Sequence, residues 1–408
     1  MGHDVLMGRV LVLAAVLAGG CYQPRVAACQ LSCGTGGTCP DGLVCSTTGD
    51  SCVVHAEDVC GAPLGPDAPI VPTVDVNPGC TFHPSNVDAC TLGLDKETTV
   101  LTVTTPSMTI TTGDPQTVPP LLGGMTATVI NPGAEEIVVF AFGHIIVPPN
   151  TTLVVQGARP LILLASETIE VDGDILVSPM TRTPGGCHAG IAGGNSVVGG
   201  GGGGFGEGGG PGGPLQNTTA AGGGGPSGMP TLIPLRGGCP GGTGATTMGT
   251  TPGGAGLGGG ALQLSTAGTL TVVGQIAAPG NGGAGNAMNG GGAGGGGSGG
   301  AILLEGRTIS VISAAALCAN GGAGGTTAPT KPAAVNGSCS VNPTQSAAGS
   351  NRGGAGGAAG GVAGSGATSN SGSSFGAGGG GGGVGRIRIN GAYTPSAAVV
   401  SPIPSTNP

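Results

Sequence analysis

The residues Ala261-Leu262-Gln263-Leu264, Leu270-Thr271-Val272 and Gly274-Gln275-Ile276 set the pattern on which the fold of this chain depends. Apolar side chains recur at every second position, stop at a short turn and then resume. A period of two with β-branched residues is typical of strands rather than helices. The stretch therefore predicts two strands joined by a turn.

The same arrangement occurs elsewhere in the sequence. A full copy is Leu161-Ile162-Leu163-Leu164 with Ile169-Glu170-Val171 and Gly173-Asp174-Ile175. A shortened copy is Ala301-Ile302-Leu303-Leu304 with Ile309-Ser310-Val311. A partial copy is Arg386-Ile387-Arg388-Ile389-Asn390. Self-similarity at such distances is the signature of a stacked repeat, in which each copy covers the apolar side chains of the next. Long connections separate the copies, so equivalent strands can run parallel.

The repeats predict an all-β domain over residues 96–395, built as a right-handed parallel β-helix-like solenoid, with a β-sandwich as the alternative. Ile137 to Phe142 and Leu153 to Val155 are expected to form the first coils. From Thr98 to Thr112, apolar residues alternate with threonines, which predicts a half-buried pair of strands with a bend between them. Residues 396–408 are expected to be a flexible tail.

Glycine dominates the rest of this domain, with 94 glycines in 408 residues and no Gly-X-Y period. The tracts cover roughly residues 185–260, 280–300 and 320–383 and are expected to be insertions on one side of the repeat. Two states are open to them. They are either mobile chain, because ordering glycine costs much backbone entropy, or polyproline-II strands packed side by side, because glycine lets backbones approach closely. The second state resembles glycine-rich sandwich and antifreeze-type proteins in composition.

The N-terminal residues predict export. A weakly basic start leads into the apolar run Val10 to Ala18, which is too short to span a bilayer. The following Leu17-Ala18-Gly19-Gly20-Cys21 resembles the lipobox of bacterial lipoproteins, although Ala18 stands where that family usually has leucine. The resemblance implies a signal peptide over residues 1–20, lipidation of Cys21 and attachment of the mature chain to a membrane.

Thirteen cysteines leave an even number once Cys21 carries the lipid, so complete pairing in an oxidising compartment is expected. The disulfide candidates are Cys29, Cys33, Cys39, Cys45, Cys52, Cys60, Cys80, Cys90, Cys187, Cys239, Cys318 and Cys339. Three pairings are expected from position, namely Cys80 with Cys90, Cys187 with Cys239 and Cys318 with Cys339. No Cys-x-x-Cys pair is present in the N-terminal group, so zinc is not expected there.

The first six of these cysteines lie in a module over residues 21–62, which is too short to bury a core and must depend on cross-links. Its run Cys39-Pro40-Asp41-Gly42-Leu43-Val44-Cys45, closed by Cys52-Val53, resembles the small EGF-like cysteine modules of myxobacterial surface lipoproteins. The resemblance implies a glycine-rich lipoprotein at the outer membrane or surface of a Gram-negative cell. Residues 63–95 are expected to form a Pro-rich linker with a small disulfide loop.

Acidic residues are concentrated in the first 180 residues, where 17 acids oppose four bases, and only Glu207 and Glu305 follow. Glycosidases need paired carboxylates, and calcium-assisted lyases need clustered ones. One group is available, interpreted either as the solvent-facing side chains of an edge strand or as a weak calcium site: Glu167, Glu170, Asp172 and Asp174. No catalytic residue, no cofactor and no other metal are expected.

Nucleic acid is not expected as a partner, because the basic half has no Lys/Arg cluster and almost no aromatic residues. The features together favour a non-enzymatic, lipid-anchored structural or adhesion protein of the cell surface that binds polysaccharide or extracellular matrix. Two alternatives are a carbohydrate-active β-helix enzyme, a polysaccharide lyase or hydrolase that uses the acids of residues 167–174, and an ice- or surface-binding glycine-rich protein. The sequence does not predict the oligomeric state.

Overall fold

In a computed structural model of the protein, the chain divides into two compact units, Met1–Val76 and Asn77–Pro408. The structure describes residues 39, 44–45, 52–53, 82–94, 98–104, 106–113, 121–122, 125–130, 135–194, 197–245, 251–286, 291–328, 330–346, 352–359, 363–364, 366, 368 and 376–407. These residues form strands and turns and contain no α-helix. The prediction of an all-β fold is therefore confirmed at that level.

The described part of the first unit is a small cross-linked pair of strands. Strands β1 (Val44–Cys45) and β2 (Cys52–Val53) pair antiparallel. A disulfide joins Cys39 to Cys52, with their Cα atoms 5.8 Å apart, and Cys52 and Val53 are buried. Covalent cross-linking thus accompanies the little apolar burial that so short a segment can provide.

The described part of the second unit contains two large sheets and one small two-stranded sheet. Its strands are β3 (Val100–Thr102), β4 (Ser107–Gly113), β5 (Leu121–Leu122), β6 (Met125–Thr126), β7 (Thr128–Ile130), β8 (Ile137–Val147), β9 (Thr152–Gly157), β10 (Leu161–Val171), β11 (Asp174–Val177), β12 (Ala261–Val272), β13 (Gln275–Ala277), β14 (Ala301–Val311), β15 (Ala316–Cys318), β16 (Arg386–Thr394), β17 (Val399–Ser401) and β18 (Ser405–Asn407). The long sheet has the order β18-β16-β14-β12-β10-β8-β3, and the short sheet has the order β17-β15-β13-β11-β9-β4. Neighbours along both orders are parallel, whereas β7 joins β8 antiparallel and β5 pairs with β6 separately.

From β8 onward the chain alternates between the two sheets. The step from the long sheet to the short sheet is brief, with two residues between β10 and β11 and two between β12 and β13. Three of the return steps are long and contain the glycine tracts, over residues 178–260, 278–300 and 319–385. All three tracts therefore leave after a strand of the short sheet and end at a strand of the long sheet.

The apolar repeats of the sequence are neighbouring parallel strands of the long sheet. Four of their residues follow one another in register and are at most 2% exposed, namely Leu161, Leu262, Ile302 and Ile387. They pack in one core cluster with short-sheet residues such as Leu153, Ile175 and Leu317. Burial of each such side chain contributes roughly 1.5–3 kcal/mol, so this shared core is the main stabilising feature of the sheets.

Two predicted segments differ from expectation. The strands predicted between Thr98 and Thr112 do not pair with each other, because β3 joins β8 in the long sheet and β4 joins β9 in the short sheet. Residues 396–408 were expected to be a flexible tail, but β17 and β18 pair with β15 and β16. In both places the chain satisfies backbone groups at the edge of an existing sheet.

The glycine tracts are hydrogen-bonded to one another through their backbones. Over residues 292–300, nine consecutive amides donate in rotation to three neighbouring segments, with N···O distances of 2.8–3.0 Å. The amides of residues 292, 295 and 298 donate to the carbonyls of residues 245, 242 and 239. Those of residues 293, 296 and 299 donate to residues 377, 380 and 383, and those of residues 294, 297 and 300 donate to residues 284, 281 and 278. The neighbour contacted therefore repeats at every third residue.

The carbonyls of the same segment face three further neighbours. They accept hydrogen bonds from amides within residues 253–259, 200–203 and 322–325. Residues 292–300 are thus surrounded by six extended segments, and every residue from 291 to 300 is buried. We call this assembly the glycine bundle; it comprises residues 197–206, 238–245, 253–260, 278–286, 291–300, 319–325 and 376–385.

At many glycines of the glycine bundle, neighbouring backbones leave no room for a side chain. A Cβ atom built on Gly294 would overlap the carbonyl oxygen of Gly254, and one built on Gly256 would overlap that of Asn281. A Cβ on Gly254 itself would meet nothing closer than the Cβ of Ala284, at 3.8 Å. Neighbouring backbones therefore occupy the space that side chains fill in an ordinary core, which explains the need for glycine.

Candidate functional site

Disulfides cross-link the described part of the glycine tracts, one within the first tract and one between β15 and the third tract. Cys187 is bonded to Cys239, and Cys318 is bonded to Cys339, the same pairs that position in the sequence suggested. Cys45 and Cys90 are also disulfide-bonded. The remaining predicted residues lie outside the described part of the chain: Cys21, Cys29, Cys33, Cys60 and Cys80. Disulfide bonds indicate a protein exported to an oxidising compartment.

The four acids of residues 167–174 do not converge. Glu170 and Asp174 are exposed on β10 and β11, and the Glu167 carboxylate lies 3.3 Å from Nε2 of His144. Strand β10 lies between β8 and β12 and is not the expected edge strand. Throughout the described residues, no three His, Cys, Asp or Glu side chains are grouped so that they could hold a metal ion. The calcium interpretation therefore gains no support from the described residues.

A buried carboxylate on the outer face of the long sheet was missed by the sequence analysis. Glu305 is 5% exposed and accepts five hydrogen bonds. Oε1 accepts from the Ser85 hydroxyl at 2.6 Å and from Nδ2 of Asn390 at 2.8 Å. Oε2 accepts from the Ser85 amide and from Nε2 of Gln263, both at 2.9 Å, and from the Ser265 hydroxyl at 2.8 Å. Five donors compensate for the removal of this carboxylate from water.

Strand register brings most of these side chains together. Ser265, Glu305 and Asn390 are direct neighbours on β12, β14 and β16, and Gln263 precedes Ser265 by two residues on the same face. A signal was present, because polar residues interrupt the apolar repeats at these positions. The sequence does not predict that Ser85 joins this group, since Ser85 belongs to a distant segment without a strand pattern.

The Glu305 network holds residues 82–94 against the outer face of the long sheet. Asn86 donates from Nδ2 to the Gln263 side-chain oxygen and to the Leu232 carbonyl, each at 3.0 Å. Ala89 and Leu94 are buried in a second apolar cluster on this face. This part of the expected linker is therefore integrated into the second unit, and both faces of the long sheet are covered.

A pocket of about 290 Å³ opens beside the Glu305 network. It is lined by Phe82, His83, Pro84, Ala267, Glu305, Gly306, Arg307 and Asn390. His83 and Arg307 are exposed, whereas Pro84 and Glu305 are buried. Oδ1 of Asn390 is withdrawn from solvent and has no hydrogen-bond partner among the described residues. The pocket thus combines a rigid buried wall with an exposed cationic rim.

A smaller cavity of about 130 Å³ lies at the edge of the long sheet beside Arg386 and Ile403. The Arg386 guanidinium donates to the carbonyls of Gly228 at 2.7 Å and Gly206 at 3.1 Å. Burial lowers the pKa of Arg386 from its ordinary value, and the carboxylate of Glu207 acts in the opposite direction. The side chain is committed to backbone carbonyls, so this cavity offers less for a ligand than the pocket at Glu305.

Comparisons with protein-family models, with curated proteins and with solved structures find no match to this chain. None of the described residues form a helix with the length and apolar character needed to traverse a bilayer.

Proposed function

We propose that the protein is a non-enzymatic, lipid-anchored component of the bacterial cell surface that serves a structural or adhesive role toward polysaccharide or matrix. The observation that carries the proposal is the glycine bundle, in which backbones bond to several neighbours at once and leave no internal space. Such a body keeps its shape without a large side-chain core, as a surface exposed outside the cell requires. The disulfides of the second unit support the same compartment.

In this proposal the two sheets are two faces of a right-handed parallel β-solenoid, and each coil contributes one strand to each sheet. The alternation of the chain between the sheets and the usual right-handedness of parallel crossovers support that arrangement. The segments of the glycine bundle are polyproline-II strands, because a helix of three residues per turn presents successive amides to three different neighbours. The solenoid carries the bundle, and the lipid on Cys21 holds both at the outer membrane.

Surface display is tested by protease shaving of intact cells that make either the natural chain or the Cys21→Ala variant. The natural chain is expected in the membrane fraction, with peptides of the glycine tracts released by the protease. The variant is expected to lose its membrane attachment, since the thiol that accepts the lipid is absent. Equal membrane attachment of both chains would contradict the proposed anchor.

Adhesion is tested separately with a deletion strain, in which cell cohesion and binding to purified polysaccharide are measured. Reduced cohesion that the natural gene restores is the expected result. Normal cohesion together with unchanged polysaccharide binding would rule out the adhesive role. A purified protein that releases reducing ends from polysaccharide would contradict the non-enzymatic assignment.

A further inference from the structure

We infer that the protein pairs with a second copy of itself through the end of the two large sheets that β17 and β18 form. This interaction goes beyond the proposed function, which concerns polysaccharide or matrix outside the chain. Three features of this end support the pairing: free strand edges, a core that is incompletely covered, and an exposed isoleucine beside a cavity on a surface of little charge.

The first feature is the pair of free edges. Strands β17 and β18 are the last strands in the order of the short and the long sheet. The amide of Val399 and the carbonyl of Ser401 are both hydrogen-bonded into the short sheet. Because successive residues of a strand bond to opposite sides, the amide and the carbonyl of Val400 point to the free side. Among the described residues no strand pairs with that side, so these groups are available to the edge of another chain.

The second feature is the shared core, which is less completely covered here than at the opposite end. Leu101 and Ile110, from the first strand of each sheet, are only 7% and 2% exposed. At the β17–β18 end, the inward position of the short sheet is held by Val400, which is partly buried. Thr406 is in register with the core residue Ile389 and is exposed. A second copy that covers this end removes core surface from water.

The difference between the two ends also decides the geometry of the pair. The end formed by the first strands is covered within one chain, so it is not available to receive the β17–β18 end of another copy. The surface left for pairing is then the same on both copies. Such a contact is isologous and closes as a twofold dimer instead of continuing into a filament.

The third feature is an apolar projection beside a recess. Ile403 lies between β17 and β18 and is 77% exposed, more than any other large apolar side chain among the described residues. The same residue lines the cavity of about 130 Å³ together with Val384 and Ile387. Across a twofold axis, each copy can place Ile403 against the recess of the other, which is the self-complementarity that an isologous contact needs.

The charge of this surface suits a second copy better than a strongly charged partner. Residues 389–408 contain no Asp, Glu, Lys, Arg or His. Two copies that meet here therefore do not repel each other through like charges. Glu207 and Arg386 line the cavity and carry opposite charges, so the recess has no net charge. A strongly acidic or basic partner would find no complementary field at this end.

The test is sedimentation equilibrium of the purified full-length protein in a density-matched detergent, over a range of protein concentrations. Strands β17 and β18 contain three residues each, so a weak pair with a dissociation constant on the order of micromolar is expected. Ile403→Asp is expected to raise this constant at least about tenfold, because it removes the apolar contact and adds two like charges.

The matched control is Ile191→Asp, which changes another exposed isoleucine, 60% exposed, that does not line this cavity. This variant is expected to pair as the natural protein does, and thermal melting shows that both variants are folded. A photoreactive phenylalanine analogue at position 403 locates the contact. It is expected to give covalent dimers in which position 403 is joined to residues 384–387 or 402–405 of the second copy.

Hydrogen exchange distinguishes a second copy from a segment of the same chain. The amide of Val400 is expected to exchange more slowly as the protein concentration rises. Slow exchange at every concentration in a monomer would mean that the chain covers its own edge, and the inference would fail. It would also be overturned by a protein that stays monomeric at about 1 mM, by equal pairing of Ile403→Asp and the natural protein, or by cross-links that lie outside this surface.

Discussion

The carboxylate oxygen Oε2 of Glu305 lies 2.9 Å from the backbone nitrogen of Ser85, which is 220 residues earlier in the chain. The contact places a segment without regular strands on a sheet that forms much later in the sequence. It also leaves the folded state dependent on one buried acceptor. Removing that acceptor is expected to affect both the sheet and the segment that it holds.

Glu305→Ala removes the acceptor of the Ser85 amide and hydroxyl, of the Ser265 hydroxyl and of Nδ2 of Asn390. A buried group that loses its partner costs about 1–3 kcal/mol, so the expected loss of unfolding free energy is about 3–5 kcal/mol. Urea unfolding of the oxidised protein measures it, and hydrogen exchange of residues 85–94 should become faster. The control is Glu170→Ala, which truncates an exposed side chain of β10. The stability of this variant is expected within about 0.5 kcal/mol of that of the natural protein. Similar losses in both variants would show that the network contributes little.

Two glycines of one tract offer a matched test of the glycine bundle. Gly256→Ala places a methyl group against the Asn281 carbonyl and should destabilise the protein by about 1–3 kcal/mol or more. Gly254→Ala makes only an ordinary van der Waals contact with the Cβ of Ala284 and should be neutral or stabilise by about 0.4–1 kcal/mol, since it restricts the unfolded chain. Denaturant midpoints of the two variants decide the question. An equal response would mean that the bundle is not closely packed in solution.

The Cys187–Cys239 and Cys318–Cys339 disulfides should contribute unequally to stability. Cys187 and Cys239 are 52 residues apart, and Cys318 and Cys339 are 21 residues apart. Loop-closure entropy predicts losses of about 4 and about 3 kcal/mol when each pair is replaced by serine, because the longer loop restricts the unfolded chain more. Thermal and urea unfolding of the two double variants measure both losses. A larger loss for the shorter loop would show that native-state packing outweighs chain entropy.

Stability should decline in alkaline solution through Tyr393, which packs against the main core. Burial raises the pKa of its phenol above the ordinary value. The folded protein then holds this proton more tightly than the unfolded chain, so stability is retained below about pH 10 and falls as the pH rises from the unfolded pKa through the folded one. Urea midpoints at about pH 9 and about pH 11 should differ less in Tyr393→Phe. Tyr22→Phe, which keeps Tyr393, should behave as the natural protein.

The strands of the long sheet followed from the sequence because their apolar residues repeat every second position and at long intervals. Leu262 and Ile302 could be placed on neighbouring strands for that reason. The neighbours within the glycine bundle could not be predicted, because glycine has no side chain that records which face a residue presents. Hydrogen bonds such as that from Gly296 to Gly380 depend on the backbone alone.

The Glu305 network was missed for a different reason. Gln263, Glu305 and Asn390 stand at outward positions of the repeats, where a polar residue is normally solvent-exposed. These side chains are covered because Ser85 and Asn86 pack over them, and both residues belong to a segment that the sequence predicts to be a linker. Burial of an outward polar side chain is a tertiary effect, so a local pattern does not reveal it.

Along residues 292–300, successive amides point to three neighbouring segments in turn, so the pattern of hydrogen bonds repeats every three residues. Deleting one residue there would turn every later amide toward the wrong neighbour, whereas deleting three would move each amide to an equivalent partner one turn away. Length changes in the glycine tracts should therefore be tolerated in triplets. The packing of the backbones therefore constrains the number of residues in this segment as well as the requirement for glycine at its crowded positions.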